Sequence, residues 1–264
     1  MAEFVWRDEA PAGQGPGRGS VLLSSFPSAG LAATVASHYM VRSLRLARIG
    51  RFESADLAPI AIVQGGQVNP TIRVYGHPGL GLVLSEFPPL ASQLTPIART
   101  ILDAADRVSA RLIVCLEGVV PHPELEPEPT RTPADGESSE NVWVAFSRRD
   151  SDVLTAFGRT HARTLEEGVI GGVSGALLVQ ALGRKVPVAV VLVSTRAPEG
   201  LPDHRAAAVL IETLEKLLPE LKIDTGPLRK QAVDIERMLR AAMKTRPQAP
   251  EPEGEQQPAT GMYG

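Results

Sequence analysis

The last three residues of the chain, Met262, Tyr263 and Gly264, bring together an apolar side chain, a phenol and a carboxylate. A carboxylate at a chain end is a group that donor-lined pockets of other proteins recognise. The preceding segment, Arg246–Gly261, contains four prolines and three glutamates, a composition that favours a solvated tether over a packed element. The pattern indicates either a motif displayed to a partner or a frayed terminus without a role.

A glycine-rich stretch, Gly168–Gly175, is the second segment that could carry chemistry. It precedes a predicted helix, and the backbone N–H groups at a helix N-terminus can hold a phosphate. It does not follow an apolar strand, however, and no lysine follows it as in phosphate-binding loops. Two interpretations stay open. The stretch belongs to a nucleoside- or nucleotide-binding enzyme, or it is a tight turn that allows close helix packing.

Within that stretch, Gly172–Ala176 is close to the nucleophile elbow of hydrolases, but it ends in alanine where the motif usually has glycine. His204 follows as the possible base, at the start of a predicted helix where capping or solvation is the ordinary role. The five histidines of the chain show no metal-ligand spacing. We predict no catalytic residue, no metal ligand and no cofactor site.

Composition excludes several classes of partner. The net charge of −3 equals the contribution of the three tail glutamates, and without these three residues the chain has 27 basic and 27 acidic side chains. This balance, with only 4% aromatic residues, argues against a nucleic-acid-binding surface. No window approaches the ~18–20 apolar residues of a membrane span, and the first residues do not form a signal peptide. We expect a cytoplasmic protein that binds neither nucleic acid nor membrane.

Cys115 is the one cysteine of the chain, which excludes an internal disulfide. It lies in the apolar run Arg111–Glu117, which predicts a central strand covered on both faces. We expect a buried structural thiol, because a reactive one needs an electropositive and accessible setting.

Strands and helices alternate along the chain and must position these groups. Val21–Phe26 predicts the first strand, Ser28 is a favourable helix N-cap, and Ala29–Leu46 has helical spacing of apolar residues. Further strands are predicted at residues 47–52, 60–63, 71–75, 79–85, 111–116, 141–146 and 185–193. Further helices are predicted at residues 89–108, 151–161, 175–183, 201–218 and 226–245. The alternation predicts an α/β domain with a layered, largely parallel sheet and helices on both faces.

We predict three regions along the chain. Residues 1–19 are expected to be a flexible segment, residues 20–245 a single domain, and residues 246–264 a disordered tail. A loop rich in proline and acidic residues interrupts the domain at 121–140, and it is predicted to be solvated.

Three blocks of sequence carry a resemblance to a known family. They are Val21–Leu31 with the following helix, Glu167–Leu178, and Pro202–Leu214 with the later Ile223 and Asp224. Together, in this order, they resemble the proteasome assembly chaperone family, in its archaeal-type branch. The resemblance extends from about residue 21 to residue 243, and the loop at 121–140 is longer than the family pattern.

The resemblance implies a fold related to nucleoside phosphorylases, no catalytic activity, and homo-oligomers of four or five subunits. It also implies binding to the α-subunits of the proteasome core particle. Some archaeal members and several proteasome activators end in a hydrophobic–tyrosine–any-residue motif, which Met262, Tyr263 and Gly264 match. These three residues are therefore the predicted partner-binding site. Assembly chaperone, gate-opening activator and purely structural oligomer with an inert tail all stay open.

Overall fold

The computed structural model describes residues 3–9, 11, 15–120, 141–197 and 200–245, with side chains as far as residue 238. The predictions for the loop at 121–140 and the tail at 246–264 lie outside these ranges. The strands are β1 Val5–Asp8, β2 Val21–Ser25, β3 Ala47–Glu53, β4 Ile62–Gln64, β5 Gln67–Asn69, β6 Ile72–His77, β7 Leu80–Ser85, β8 Leu112–Val119, β9 Val142–Phe146, β10 Arg163–Thr164 and β11 Val188–Ser194. The α-helices are α1 Ala32–Ser43, α2 Ala91–Arg107, α3 Ser151–Phe157, α4 Gly172–Gln180, α5 His204–Leu217 and α6 Gly226–Thr245.

The described part of the chain forms a large mixed sheet in the order β1-β3-β6-β7-β2-β8-β11-β9-β10, with β4 and β5 as a separate hairpin. The strands β7, β2, β8 and β11 are parallel neighbours. The pairs β1–β3, β3–β6, β6–β7 and β11–β9 are antiparallel. The prediction of a largely parallel sheet is therefore wrong. Only Pro78 and Gly79 separate β6 from β7, and so short a connection can join antiparallel strands but cannot form a parallel crossover.

The centre of the sheet agrees with the prediction from apolar runs. Every residue of β2 and of β11 is buried, as are residues 112–116 of β8, including Cys115. Parallel strands covered on both faces bury both sets of alternating side chains, so their sequences lack the polar alternation of an exposed sheet. The expectation that Cys115 is a buried thiol is confirmed.

Helices cover both faces of the sheet, as predicted. On one face, Met40 of α1 and Leu214 of α5 belong to one apolar cluster. On the other face, Ile101 of α2 and Leu177 of α4 belong to a second cluster. The sheet separates the two clusters, so a side chain on α4 and a side chain on α5 lie on opposite sides of it.

The N-terminal segment is more ordered than the sequence indicates. Val5–Asp8 forms the edge strand β1, antiparallel to residues 50–53 of β3, and Trp6 packs against Phe52. The expectation of a flexible segment over residues 1–19 is wrong for these residues. The strand was missed because four residues give too short a pattern, and because its stability comes from pairing with β3.

Candidate functional site

The predicted partner-binding residues Met262, Tyr263 and Gly264 lie outside the described residues. Helix α6, the last described element, ends at Thr245, and its start at Gly226 agrees with the prediction. Among the described helices, none combines the length and the apolar character that a membrane crossing requires. Within the same ranges, no three histidine, cysteine or acidic side chains are grouped so as to hold a metal ion.

The glycine-rich stretch Gly168–Gly175 lies at the edge of the sheet where the parallel strands end. Helix α4 begins at Gly172, and Gly171 occupies the N-cap position without a side-chain cap. Gly172 has a φ of 63°, a conformation that favours glycine. Ligands of open α/β sheets bind outside the carboxyl ends of parallel strands, so this edge is where a site is expected.

A cavity of about 510 Å³ opens at this edge, within the 300–1,000 Å³ that small-molecule sites occupy. Its walls come from the segment after β2, the segment between β7 and α2, the end of β8 and the start of α4. The lining residues are Phe26, Pro27, Ser28, Ala29, Pro88, Pro89, Ala91, Leu94, Glu117, Gly118, Val119, Val169, Ile170, Gly171, Gly172, Val173 and Leu192.

Glu117 is a residue of the candidate site that sequence reasoning missed. It lies near the carboxyl end of β8, is partly buried, and accepts a hydrogen bond at Oε1 from the hydroxyl of Ser174 in α4. Burial raises the pKa of the Glu117 carboxyl to about 7, while the Ser174 hydrogen bond opposes that rise. A signal was present in the sequence, because a glutamate that follows the apolar run of a parallel strand is expected near the edge of the sheet where ligands bind.

Two enzyme interpretations lose support from this geometry. A phosphate at the start of α4 would meet the Glu117 carboxyl, which already faces the first turn of that helix through Ser174. Ser174, the serine of the elbow-like segment, lies on the opposite face of the sheet from His204 at the start of α5. Serine and histidine therefore do not form a nucleophile–base pair.

Two of the residues that line the cavity, Ser28 and Gly118, have structural roles. The N–H of Gly118 donates to Oγ of Ser28 at 2.9 Å, and a Cβ on Gly118 would lie 2.1 Å from the carbonyl oxygen of Ala29. Ser28 occupies the N-cap position of a 3₁₀ turn, Ala29–Leu31, but its hydroxyl makes no capping hydrogen bond. Its predicted capping role is therefore wrong, because the hydroxyl ties the chain after β2 to β8.

The comparison with protein families decides the classification. The family model described as PAC2 family matches residues 22–243 of the chain. The chain belongs to the PAC2 family. Among curated proteins, the uncharacterized protein MJ0106 of Methanocaldococcus jannaschii is 23% identical over 220 residues, which are 83% of this chain and 84% of that protein.

Solved structures share the PAC2 fold seen here. Pyrococcus furiosus PbaA, described as an archaeal homolog of proteasome-assembly chaperone, has a TM-score of 0.74 and 23% identity, over 91% of this chain and 92% of that chain. Pyrococcus furiosus PbaB, described as an archaeal proteasome activator, has a TM-score of 0.71 and 17% identity, over 92% of this chain and 100% of that chain. At these identities the matches show a common fold.

In this PAC2 chain, the three sequence blocks of the resemblance meet at one edge of the sheet. Residues 26–29 of the first block and residues 169–173 of the second line the same cavity. Asp203 of the third block caps α5 by accepting a hydrogen bond from the N–H of Ala206 at 2.9 Å. The first block contains the parallel strand β2 and the third follows the parallel strand β11, whereas the second follows β10 at the end of the sheet, where β9 runs antiparallel to β11.

Proposed function

We propose that this PAC2 chain is a non-catalytic, cytoplasmic proteasome assembly chaperone or core-particle activator that binds proteasome α-subunits. Membership of the PAC2 family and the likeness of its fold to PbaA and PbaB support the proposal. The observation that carries it is the triplet Met262, Tyr263 and Gly264, since no other feature of the chain has so defined a recognition mode. The fold relation to nucleoside phosphorylases stays a prediction.

The tail docks in a pocket between neighbouring α-subunits, with each residue making a different contact. The carboxylate of Gly264 pairs with a lysine or arginine of the pocket in a charge-assisted hydrogen bond. Tyr263 buries its ring and satisfies its hydroxyl at the rim, and Met262 fills an apolar gap. Gly264 has no side chain, so nothing obstructs the approach of the carboxylate.

Binding by one such tail is weak, because the tether loses conformational freedom when it docks. A homo-oligomer of four or five subunits presents several tails, which raises avidity by about 10²–10⁴ where the geometry permits. The tether at 246–261 spans on the order of 20 Å as a flexible chain, and its prolines extend it further. That reach tolerates a mismatch between the symmetry of the oligomer and that of the core particle.

Deletion of residues 262–264 tests the docking mode. We expect the truncated protein to lose binding to purified core particles in a pull-down while its thermal unfolding stays unchanged. The matched control deletes Glu255, Gln256 and Gln257, which shortens the tether equally and keeps the terminus. Retention of binding by the protein that lacks 262–264 would refute tail docking and leave contacts through the folded domain as the alternative.

Two assays separate the remaining functions. Stimulated peptide hydrolysis by mature core particles identifies an activator, whereas faster incorporation of free α-subunits identifies an assembly chaperone. The nucleoside- or nucleotide-binding enzyme using Gly168–Gly175 is not favoured, because the Glu117 carboxyl, hydrogen-bonded to Ser174 in the first turn of α4, would repel a phosphate at the start of that helix.

A further inference from the structure

The cavity at the carboxyl edge of the parallel strands has a combination of groups that the proteasome-related proposal does not use. Among the described residues that line it, Glu117 is the sole ionisable side chain. The other side chains are almost all apolar, with Phe26, Leu94, Ile170 and Leu192 among the larger ones. An apolar cavity with one acidic group favours a ligand that has an apolar part and a positive charge.

We propose that this cavity binds a small organic cation, a primary amine or amidine attached to an apolar body. The ammonium or amidinium group pairs with the Glu117 carboxylate, and the apolar body occupies the space between residues 26–29, 88–94 and 169–173. The inference is independent of the proposed function, since the tail is remote in sequence and takes no part in it.

The electrostatics of Glu117 favour a cation over other ligands. Within the described residues, Glu117 accepts one hydrogen bond, from Ser174, and takes part in no ion pair. A carboxylate without a counter-charge in apolar surroundings is unfavourable, and a bound cation removes that penalty. An anion would meet the same carboxylate and be repelled, so phosphates and carboxylic acids are excluded.

The backbone at the start of α4 and the opening of the cavity leave room for the ligand. A Cβ at Gly171 or at Gly172 would touch no other atom within 4 Å, so the backbone at the start of α4 borders open space. Val169, one of the lining residues, is an exposed large apolar side chain. An apolar body larger than the chamber therefore meets apolar surface at the mouth.

Three probes of one shape test the charge requirement: 2-phenylethylamine, 2-phenylethanol and phenylacetate. Titration calorimetry of the full-length protein at pH 8 measures the affinity of each. We expect the amine to bind about tenfold or more tightly than the alcohol, because a hydrogen bond between two charged groups stabilises the complex more than one to a neutral hydroxyl. We expect no binding of the acid.

Three variants locate the site. Glu117→Gln keeps the shape and the Ser174 contact, and it reduces amine affinity to that of the alcohol. Glu167→Gln, an exposed glutamate of the same loop that does not line the cavity, leaves amine affinity unchanged. Ala91→Trp, at an exposed lining position, fills the chamber and abolishes binding of amine and alcohol alike.

Three results would overturn the inference. They are equal affinities of amine and alcohol, an amine affinity that Glu117→Gln does not change, and the absence of amine binding to the wild-type protein at about 10 mM, where a fragment of this size is detectable. Binding of core particles by Glu117→Gln, measured alongside, shows whether the tail function persists when the cavity is altered. A loss of amine binding with core-particle binding intact supports two separate sites.

Discussion

The backbone N–H of Asp203 donates a hydrogen bond to the carbonyl oxygen of Gly30 at 2.7 Å. This bond joins the turn after β2 to the start of α5, which are more than 170 residues apart in the chain. Gly30 has a φ of 59°, and a Cβ there would lie 3.0 Å from the Cβ atoms of Asp203 and Thr195. Two sequence blocks of the PAC2 family are therefore constrained by direct contact between their backbones.

A comparison of Gly30 with Gly19 separates the conformational cost of replacing a glycine from the steric cost of adding a Cβ. Both have a positive φ, but nothing lies within 4 Å of a Cβ at Gly19. We expect Gly30→Ala to lower the free energy of unfolding by about 2–3 kcal/mol and Gly19→Ala by about 1 kcal/mol, the conformational part alone. Urea unfolding of both variants measures the difference, and equal losses would show that contact at Gly30 contributes nothing.

Asp203 stabilises the start of α5 and the segment before it. Its carboxylate accepts hydrogen bonds from the N–H groups of Ala206 at 2.9 Å, Arg196 at 2.8 Å and Ala197 at 3.2 Å. We expect Asp203→Ala to lower the free energy of unfolding by about 2–3 kcal/mol, because a cap and two further acceptor contacts are lost together. Asp203→Asn, which keeps one acceptor oxygen, serves as the control with a smaller loss. A negligible effect of the alanine variant would contradict this role.

Glu117 makes stability depend on pH. Burial raises its pKa from 4.5 to about 7, so the folded protein binds this proton more tightly than the unfolded chain does. The contribution of Glu117 to the free energy of unfolding therefore falls as pH rises from about 4.5 to about 7, by roughly 3 kcal/mol in total, and then levels off. The neighbouring Cys115 stays neutral throughout, since burial raises its pKa to about 12, and Ser174 does not titrate.

The Glu117→Gln variant isolates this contribution. We expect its stability to exceed that of the wild type increasingly above pH 5, with the difference constant above about pH 8. Chemical unfolding at a series of pH values measures both proteins. A wild-type-minus-variant difference that is flat between pH 4 and pH 8 would mean that Glu117 has an ordinary pKa.

Arg73 on β6 is fully buried and forms its ion pair with Glu86, which also accepts a hydrogen bond from His38 at 2.8 Å. Nε and Nη1 of Arg73 have no hydrogen-bond partner among the described residues. Glu86→Gln removes the counter-charge of this buried guanidinium. We expect a loss of about 3–5 kcal/mol in the free energy of unfolding.

The double variant Arg73→Met with Glu86→Gln provides the control for that ion pair. Removing both charges replaces a buried pair with groups of similar volume, so we expect most of the loss to be recovered. Thermal and urea unfolding of the single and double variants form the cycle. If Glu86→Gln alone unfolds like the wild type, the pair does not matter for stability.

Much of the fold was predictable because segments that are buried in the structure are apolar in sequence. The predicted strands at 21–26, 111–116 and 185–193 contain the central strands β2, β8 and β11 in whole or in large part, and the apolar run around Cys115 also predicted its burial. Helical periodicity and end signals located α2 and α5, including Asp203 at the start of α5. These signals are local, so an isolated sequence contains them.

Strand direction was not predictable in the same way. An apolar strand has the same composition whether its neighbour is parallel or antiparallel. The antiparallel pairing of β1, β3, β6 and β7 was therefore not predicted, although strands were predicted at 47–52, 71–75 and 79–85. The edge strand Val5–Asp8 was missed too, because its stability comes from pairing with β3 rather than from its own four residues.

The sequence by itself determined the layers and the buried strands, since each depends on residues that are neighbours in the chain, and it contains the triplet Met262–Gly264 on which the proposal of tail docking rests. Only the tertiary structure decided that Ser174 donates to Glu117 across 57 positions and that both lie beside one cavity. It also decided that His204 lies on the other face of the sheet, away from Ser174. Such juxtapositions depend on the order and direction of the strands, which no short stretch of sequence contains.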